Sequence, residues 1–418
     1  MKKVLSVVLT LLVILTLIVG CSGGKKDEEV EEKKEEKVEE KVEEKKDEEV
    51  EEKKDTETES DKKAESSDDT YGLPKGDWLI GFANGYFGNT WRAQYVESFE
   101  QKAEDYKQKG IISDYIVQST NADATEQLNQ VNDMIAKGCD AILINAVSAA
   151  AMQPVITACN NADVLLVIAT DPVGIDDSVV EVLCDNEALY YIMSEWIVSK
   201  LNGEGNIVKI TGTPGMPATV VRQTVANEVL SKTNINVLGE APGSWSQTEA
   251  QTAMSTLLST YSNIDAVLTE DVMAEGIMRA YETAGEELPL MTGDYVMSFF
   301  RKWDEVGGDH DFCVTTFQAQ HSADALMYTI RVLNGYELDY ELQPNSLDHD
   351  CINAIMSPPS YCVTLNGVTE EDKDESWANY EGVTYISLAE ALEIGADLDD
   401  TEGLGKTQTE EEWDQYFK

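Results

Sequence analysis

Cysteine, histidine and positive charge are all scarce in this chain of 418 residues, and each shortage removes a class of function. Only 31 Lys and Arg stand against 79 Asp and Glu, a formal net charge of -48. The imbalance is not confined to one tail: outside Lys25 to Thr70 and the two leading lysines, 17 basic residues face 56 acidic ones. Such a body repels phosphate backbones, which excludes nucleic acid as a natural partner. The three histidines, His310, His321 and His349, have neither nucleophile nor metal-ligand spacing around them and are expected away from the site. Asp309-His310-Asp311 and Asp348-His349-Asp350 read as acidic surface loops rather than as a metal centre. Seven cysteines without a CxxC pair give little support to a zinc or redox site, and they are too sparse for a disulfide scaffold. Cys351 and Cys362 flank a Pro358-Pro359 turn, and are read either as a pair or as buried thiols. Long apolar runs are missing too: after the first twenty residues nothing approaches the roughly 18 residues that a membrane span needs.

What is present begins at the N-terminus. Lys2 and Lys3 precede an apolar run from Val4 to Val19, which ends in Ile18-Val19-Gly20-Cys21. This reads as a lipoprotein signal peptide over residues 1–20 with Cys21 as the lipidated residue, rather than as a spanning helix, because the run is short and stops at Ser22-Gly23-Gly24. Everything after Cys21 is then expected outside the cytoplasm, anchored to the bacterial cell membrane. Residues 21–72 hold the cysteine and a low-complexity acidic tether. Its Glu-Glu-Lys-Lys-like tetrads stack like charges at i and i+4, which disfavours a helix. Val30, Val38, Val42 and Val50 are too few for a coiled-coil seam, so the segment reads as an extended spacer.

Beyond Tyr71 short β-rich runs alternate with segments of helical period. Strands are expected at Trp78–Ala83, Ile112–Gln118, Ala141–Asn145, Val164–Ala169 and Val179–Leu183, and again at Ile207–Thr211, Asn236–Glu240, Ala266–Thr269, Leu288–Thr292 and Phe312–Phe317. Helices fall between them, for example at Thr90–Gln108, Ala124–Ala136, Leu189–Leu201 and Ala218–Leu230. The pattern is α/β with parallel sheets, and some 350 residues of it exceed one core. Two Rossmann-like lobes joined by a multi-strand hinge are expected: residues 76–185 with 319–340, and residues 186–318 with part of 341–418.

Ligands in such sheets bind beyond the carboxyl ends of the strands. The loops there carry Asn89, Trp91 and Arg92 after the first strand and Asp171 after the fourth. In the second half they carry Arg222, Trp245, Glu270, Asp271, Asp294 and Gln318. Carboxylates and amides accept from hydroxyls, guanidinium forks donate, and flat rings cover C–H faces, so the set suits a small sugar-like ligand. Each residue alone has a structural explanation, such as capping by Asn89 or by Glu270-Asp271. Their recurrence at strand ends is what points to a cleft.

From about Gly76 to Gly335 the chain resembles the type I periplasmic binding proteins of the ribose and galactose class. The matching segments include Asn89-Thr90-Trp91, Lys137 to Asn145, Cys184-Asp185-Asn186, Arg222, Met273-Ala274-Glu275-Gly276, Thr292-Gly293-Asp294 and Thr315-Thr316-Phe317-Gln318. The resemblance implies an ABC-importer receptor, monomeric and without cofactor, that closes on its ligand and delivers it to a permease. It also implies that Asn89, Trp91 and Asp171 line one lobe, and that Arg222, Trp245, Glu270, Asp294 and Gln318 line the other lobe and the hinge. Arg92 stands where that family has a ring, Pro172 where it has an arginine and Glu270 where it has an asparagine, which leaves the ligand's charge open. A sensory receptor read by a kinase or chemoreceptor is the other function this pattern allows. A repressor of the same fold is excluded by the missing basic headpiece. No catalytic residue is assigned: Gly405-Lys406-Thr407 lacks the rest of a phosphate loop and Asp397 to Gly403 lacks calcium-loop spacing, and acid–base work by the cleft carboxylates is the minor alternative.

Overall fold

The computed structural model describes residues 70–173, 179–307, 310–339 and 354–418; Cys21, the tether, His349 and Cys351 lie outside the described residues. In the first half, β1 (Leu79–Asn84), α1 (Thr90–Lys109), β2 (Asp114–Ser119), α2 (Ala124–Ala136), β3 (Ala141–Asn145), α3 (Met152–Ala162), β4 (Leu165–Thr170) and β5 (Val180–Cys184) alternate. Local chemistry sets the boundaries. Asn89 and Asp123 extend from β conformation and accept from the first free N–H groups of α1 and α2, and Gly110 ends α1 in the left-handed region at φ 72°.

The second half repeats the unit. Here α4 (Asn186–Lys200), β6 (Glu204–Thr211), α5 (Pro217–Leu230), β7 (Asn234–Pro242), α6 (Gln247–Thr260), β8 (Ala266–Thr269), α7 (Ala274–Ala284), β9 (Leu290–Thr292), α8 (Met297–Val306) and β10 (Phe312–Thr315) follow one another. The start of α4 lies three residues before the expected Leu189, because Asp185 caps it by accepting from Ala188 N at 2.8 Å. The strand expected to reach Phe317 stops at Thr315, since the chain leaves the sheet there. Helix α8 had no counterpart in the sequence pattern. The chain then runs through α9 (His321–Leu333), β11 (Ala354–Ser357), β12 (Tyr361–Thr364), β13 (Thr384–Ser387), α10 (Leu388–Ile394) and α11 (Glu410–Asp414).

Two sheets result, in the orders β11-β5-β4-β3-β1-β2 and β13-β12-β10-β9-β8-β6-β7. All pairs are parallel except β10 with β12. In both, order reverses beside the first strand of the unit, between β1 and β3 and between β6 and β8, which creates the crevice where such sheets take ligands. Among the described residues three segments between strands carry the chain from one sheet to the other, at Asp185, at Thr316–Gln320 and at the Pro358-Pro359 turn, and the tail makes a further passage after Leu404. The five described cysteines are buried free thiols. The sulfur next to Cys362 is Cys313, 3.8 Å away, and burial raises the Cys313 thiol well above its ordinary pKa. Among the described residues no helix is long and apolar enough to cross a membrane.

Candidate functional site

At the ends of β1, β3 and β4, short polar side chains organise a buried charge pair. Arg92, on the first turn of α1, is 6% exposed and donates from Nη1 to Asn145 Oδ1 at 2.5 Å. Its Nη2 lies 3.7 Å from Asp171 Oδ2, and Asn145 Nδ2 donates to that same oxygen at 3.0 Å. Asn145 therefore fixes the pair through both ends of its amide. Asp171 is aimed by a tight turn: its N–H donates to Ala169 O at 3.0 Å across Thr170, whose φ is 81°. That is the strained γ-turn region, and a β-branched residue there is held by its surroundings. Thr170 Oγ1 donates to Tyr95 Oη at 2.7 Å and lies 3.3 Å from His321 Nδ1. His321, expected far from the strand ends, thus sits directly behind one of them; burial pushes its pKa down to about 3, so the ring is neutral.

The facing wall is built around Arg222 on α5. Its Nε donates to Asn186 Oδ1 at 2.8 Å, and its Nη1 donates to Glu270 Oε2 at 3.4 Å and to Asp271 Oδ1. Burial alone would lower the guanidinium's pKa, but Asp271, Glu270 and Asp171 together raise it above the ordinary value. Glu270 is completely buried and receives Trp245 Nε1 at 3.1 Å, Gln223 Nε2 at 3.0 Å and Thr219 Oγ1 at 3.4 Å. Burial raises its pKa, and Arg222 opposes the rise. The indole of Trp245 lies against Gly212, where an added Cβ would fall 2.4 Å from Cε2, so only glycine lets the ring into the wall.

Aromatic rings join the walls at the second crossover. Trp91 stacks between Tyr95 and Phe317, with centroids 4.8 and 5.1 Å away, and its Nε1 donates to Phe317 O at 2.7 Å. Arg92 lies 4.7 Å from the Trp91 centroid, and Arg222 lies 4.7 Å from that of Phe317. Asn186, at the first crossover, bonds Arg222 and reaches Asp171 Oδ1 at 3.4 Å, which completes a polar chain from one sheet to the other.

These groups surround a narrow cavity of about 20 Å³, room for little more than a water, so the walls must part to admit a larger ligand. Of the residues expected at the site, Asn89, Trp91, Arg92, Asp171, Arg222, Trp245 and Asp271 line it. Glu270, Asp294 and Gln318 do not. Glu270 stands behind the wall, and Gln318 donates to Pro358 O at 3.3 Å, which ties two crossovers together. Neither oxygen of Asp294 has a hydrogen-bond partner, and burial raises its carboxyl to about 8. The amides of Val272 and Tyr295 face it without reaching full hydrogen-bond geometry, and they offset that rise only in part. Phe317 and Ala218 line the cavity without having been expected there, because an apolar residue, whether in a crossover or at a helix start, carries no polar signal. Asn145 and Asn186 stood within the segments that carry the family resemblance but were not expected at the site, where they orient the charges.

Residues 80–337 match the model of the periplasmic binding protein domain family. Over 223 residues the chain is 25% identical to the ribose import binding protein of Bacillus subtilis, covering 53% of this chain and 70% of that one. Over 170 residues it is 28% identical to the xylitol-binding protein of Mycolicibacterium smegmatis, covering 40% of this chain and only 49% of the relative. Its fold is shared with an ABC transporter solute binding protein from Thermobispora bispora, at TM-score 0.64 and 23% identity over 81% of this chain and 94% of the other. A solute binding protein from Bacillus halodurans with bound myo-inositol superposes at TM-score 0.58 and 21% identity, over 73% of this chain and 99% of the other. With two reversing parallel sheets, three crossovers and a family match over most of the folded residues, this chain belongs to the periplasmic binding protein domain family.

Proposed function

We propose that this chain is an extracytoplasmic receptor that takes one small polyhydroxylated ligand, a sugar or polyol, between its two sheets and hands it to the permease of an ABC importer. The observation that carries this reading is the cavity itself. Guanidinium donors, carboxylate acceptors and aromatic rings from both sheets converge on one narrow space between the walls, and each guanidinium is already oriented by a buried partner. Hydroxyls pair with such groups in either direction, and an unpaired buried group costs about 1–3 kcal/mol, so a ligand lacking one hydroxyl is rejected. The names of the relatives, which bind ribose and xylitol, support the same class. Contacts from both walls favour the closed form, and closure without chemistry is the mechanism. Cys21 lipidation would hold the receptor at the membrane, and loss of membrane association in Cys21→Ser would check it.

The test is a thermal-shift and calorimetric screen of neutral pentoses, hexoses, polyols, amino sugars and sugar acids. A ligand present at 100 times its Kd stabilises the native state by about 2.7 kcal/mol, a shift easily read. Stabilisation by at least one polyol, lost in Asp171→Ala, is expected. No shift with any of them would overturn the reading.

A further inference from the structure

The last stretch of the chain lies outside the family match, which ends at residue 337, yet it touches both walls of the cleft. Residues 398–404 lie over the start of α8. Asp400 O accepts from Ser298 N, and Glu402 O accepts from Met297 N, each at 2.9 Å. These are two of the N–H groups a helix leaves free at its start, so the strap acts as the cap that α8 does not supply for itself. Leu404 N donates to Tyr295 O at 2.8 Å, and Tyr295 in turn donates from Oη to the cavity residue Asp271 at 3.2 Å. This half of the strap belongs to the wall that carries Arg222.

The following half belongs to the other wall. Gln408 N donates to Asp324 Oδ1 at 3.1 Å, and Glu410 meets Lys102 at 2.5 Å and accepts from Tyr106 Oη at 2.7 Å. Between the halves, Gly405 packs so tightly on the second crossover that an added Cβ would lie 2.8 Å from Gln318 Cβ. One side chain reaches across to the first half. Gln94, two residues beyond Arg92 on α1 and half-buried, accepts from Gly403 N at 3.0 Å and donates to Thr401 O. Its amide pairs with the strap backbone as a neighbouring strand would.

We infer that residues 398–408 are a clasp between the lobes, with Gln94 as its catch, and that the cleft opens only when Gln94 releases the strap. The four residue-to-residue steps from Leu404 to Gln408 extend to roughly 14 Å at most, so the same segment limits how far the walls separate once the catch is free. The clasp regulates access to the proposed site and rests on that reading only in naming ligand entry as what it controls.

Gln94→Ala tests it without disturbing the cavity, since alanine suits the helix and Gln94 does not line the space. The unliganded variant is expected to show a larger radius of gyration by solution scattering than wild type, and about tenfold faster exchange of the Gly403 amide. Its affinity for the best polyol of the screen should fall by up to about tenfold, with faster association. Identical scattering and identical Gly403 exchange in the two proteins would overturn the clasp. So would an unprotected Gly403 amide in wild type, a measurement that needs no variant. If no polyol binds wild type, the receptor reading fails, while scattering and exchange still decide the clasp.

Discussion

Arg222 Nε and Asn186 Oδ1 meet at 2.8 Å where the chain first passes between the sheets, so the main cation of one wall is held by the crossover itself. The same guanidinium neutralises Glu270, which has no exposure to solvent. Removing one partner of a buried pair leaves the other charge uncompensated, at a cost of about 3–5 kcal/mol. Arg222→Ala is therefore expected to lose stability of that order in chemical denaturation and to lose measurable ligand binding. The double variant Arg222→Ala with Glu270→Gln should recover part of the stability and none of the binding. Lysine at 222 keeps the charge but not the fork that serves Asn186 and the two carboxylates at once, so Arg222→Lys should bind weakly.

Glu270 acts at one remove. It faces Trp245, Gln223, Thr219 and Arg222 and not the cavity, so its effect on a ligand passes through the placement of Arg222 and Trp245. In Glu270→Gln the shape is kept, but the charge opposite Arg222 is gone and one amide face must present N–H groups to donors. Affinity should fall about tenfold, while Asp271→Ala, which strips an acceptor from the cavity wall, should cost more. Calorimetry on the two variants with the same polyol checks the order. Equal losses would place Glu270 against the ligand after all.

The difference between these neighbours shows where sequence reasoning stops. Both follow β8, and the strand pattern located them; which carboxylate turns inward depends on Gly212, Thr219 and Gln223, which come from other segments. Period and capping chemistry carried most of the fold, because Asp123 and Gly110 act on their own helices and the apolar runs alternate cleanly. Phe317 escaped because its role arises from its partners, Trp91 and Arg222, 226 and 95 residues away in the chain. The tail escaped for the same reason: β11, β12 and β13 are short strands that extend sheets already formed, and Gln94 becomes a catch only when Gly403 is opposite it.

Asp294 gives the protein a dependence on pH with a definite sign. Burial raises its carboxyl from the ordinary 3.8 to about 8 in the native state, so between those values the native protein holds a proton that the unfolded chain has released. The stability it contributes is complete below pH 3.8 and is lost as pH rises through 8, by at most about 1.4 kcal/mol per pH unit. Asp324, raised by burial to about 7, acts in the same direction. His321 acts in the opposite one, its ring held down to about 3 against an ordinary 6.5, so its contribution is lost on acidification below pH 6.5 and is constant above it. Asp294→Asn removes the first of these alone. Its stability relative to wild type, measured by urea denaturation of the unliganded protein, should rise steadily from pH 5 to pH 8, and a difference that stays flat across that range would show that Asp294 ionises at its ordinary pKa.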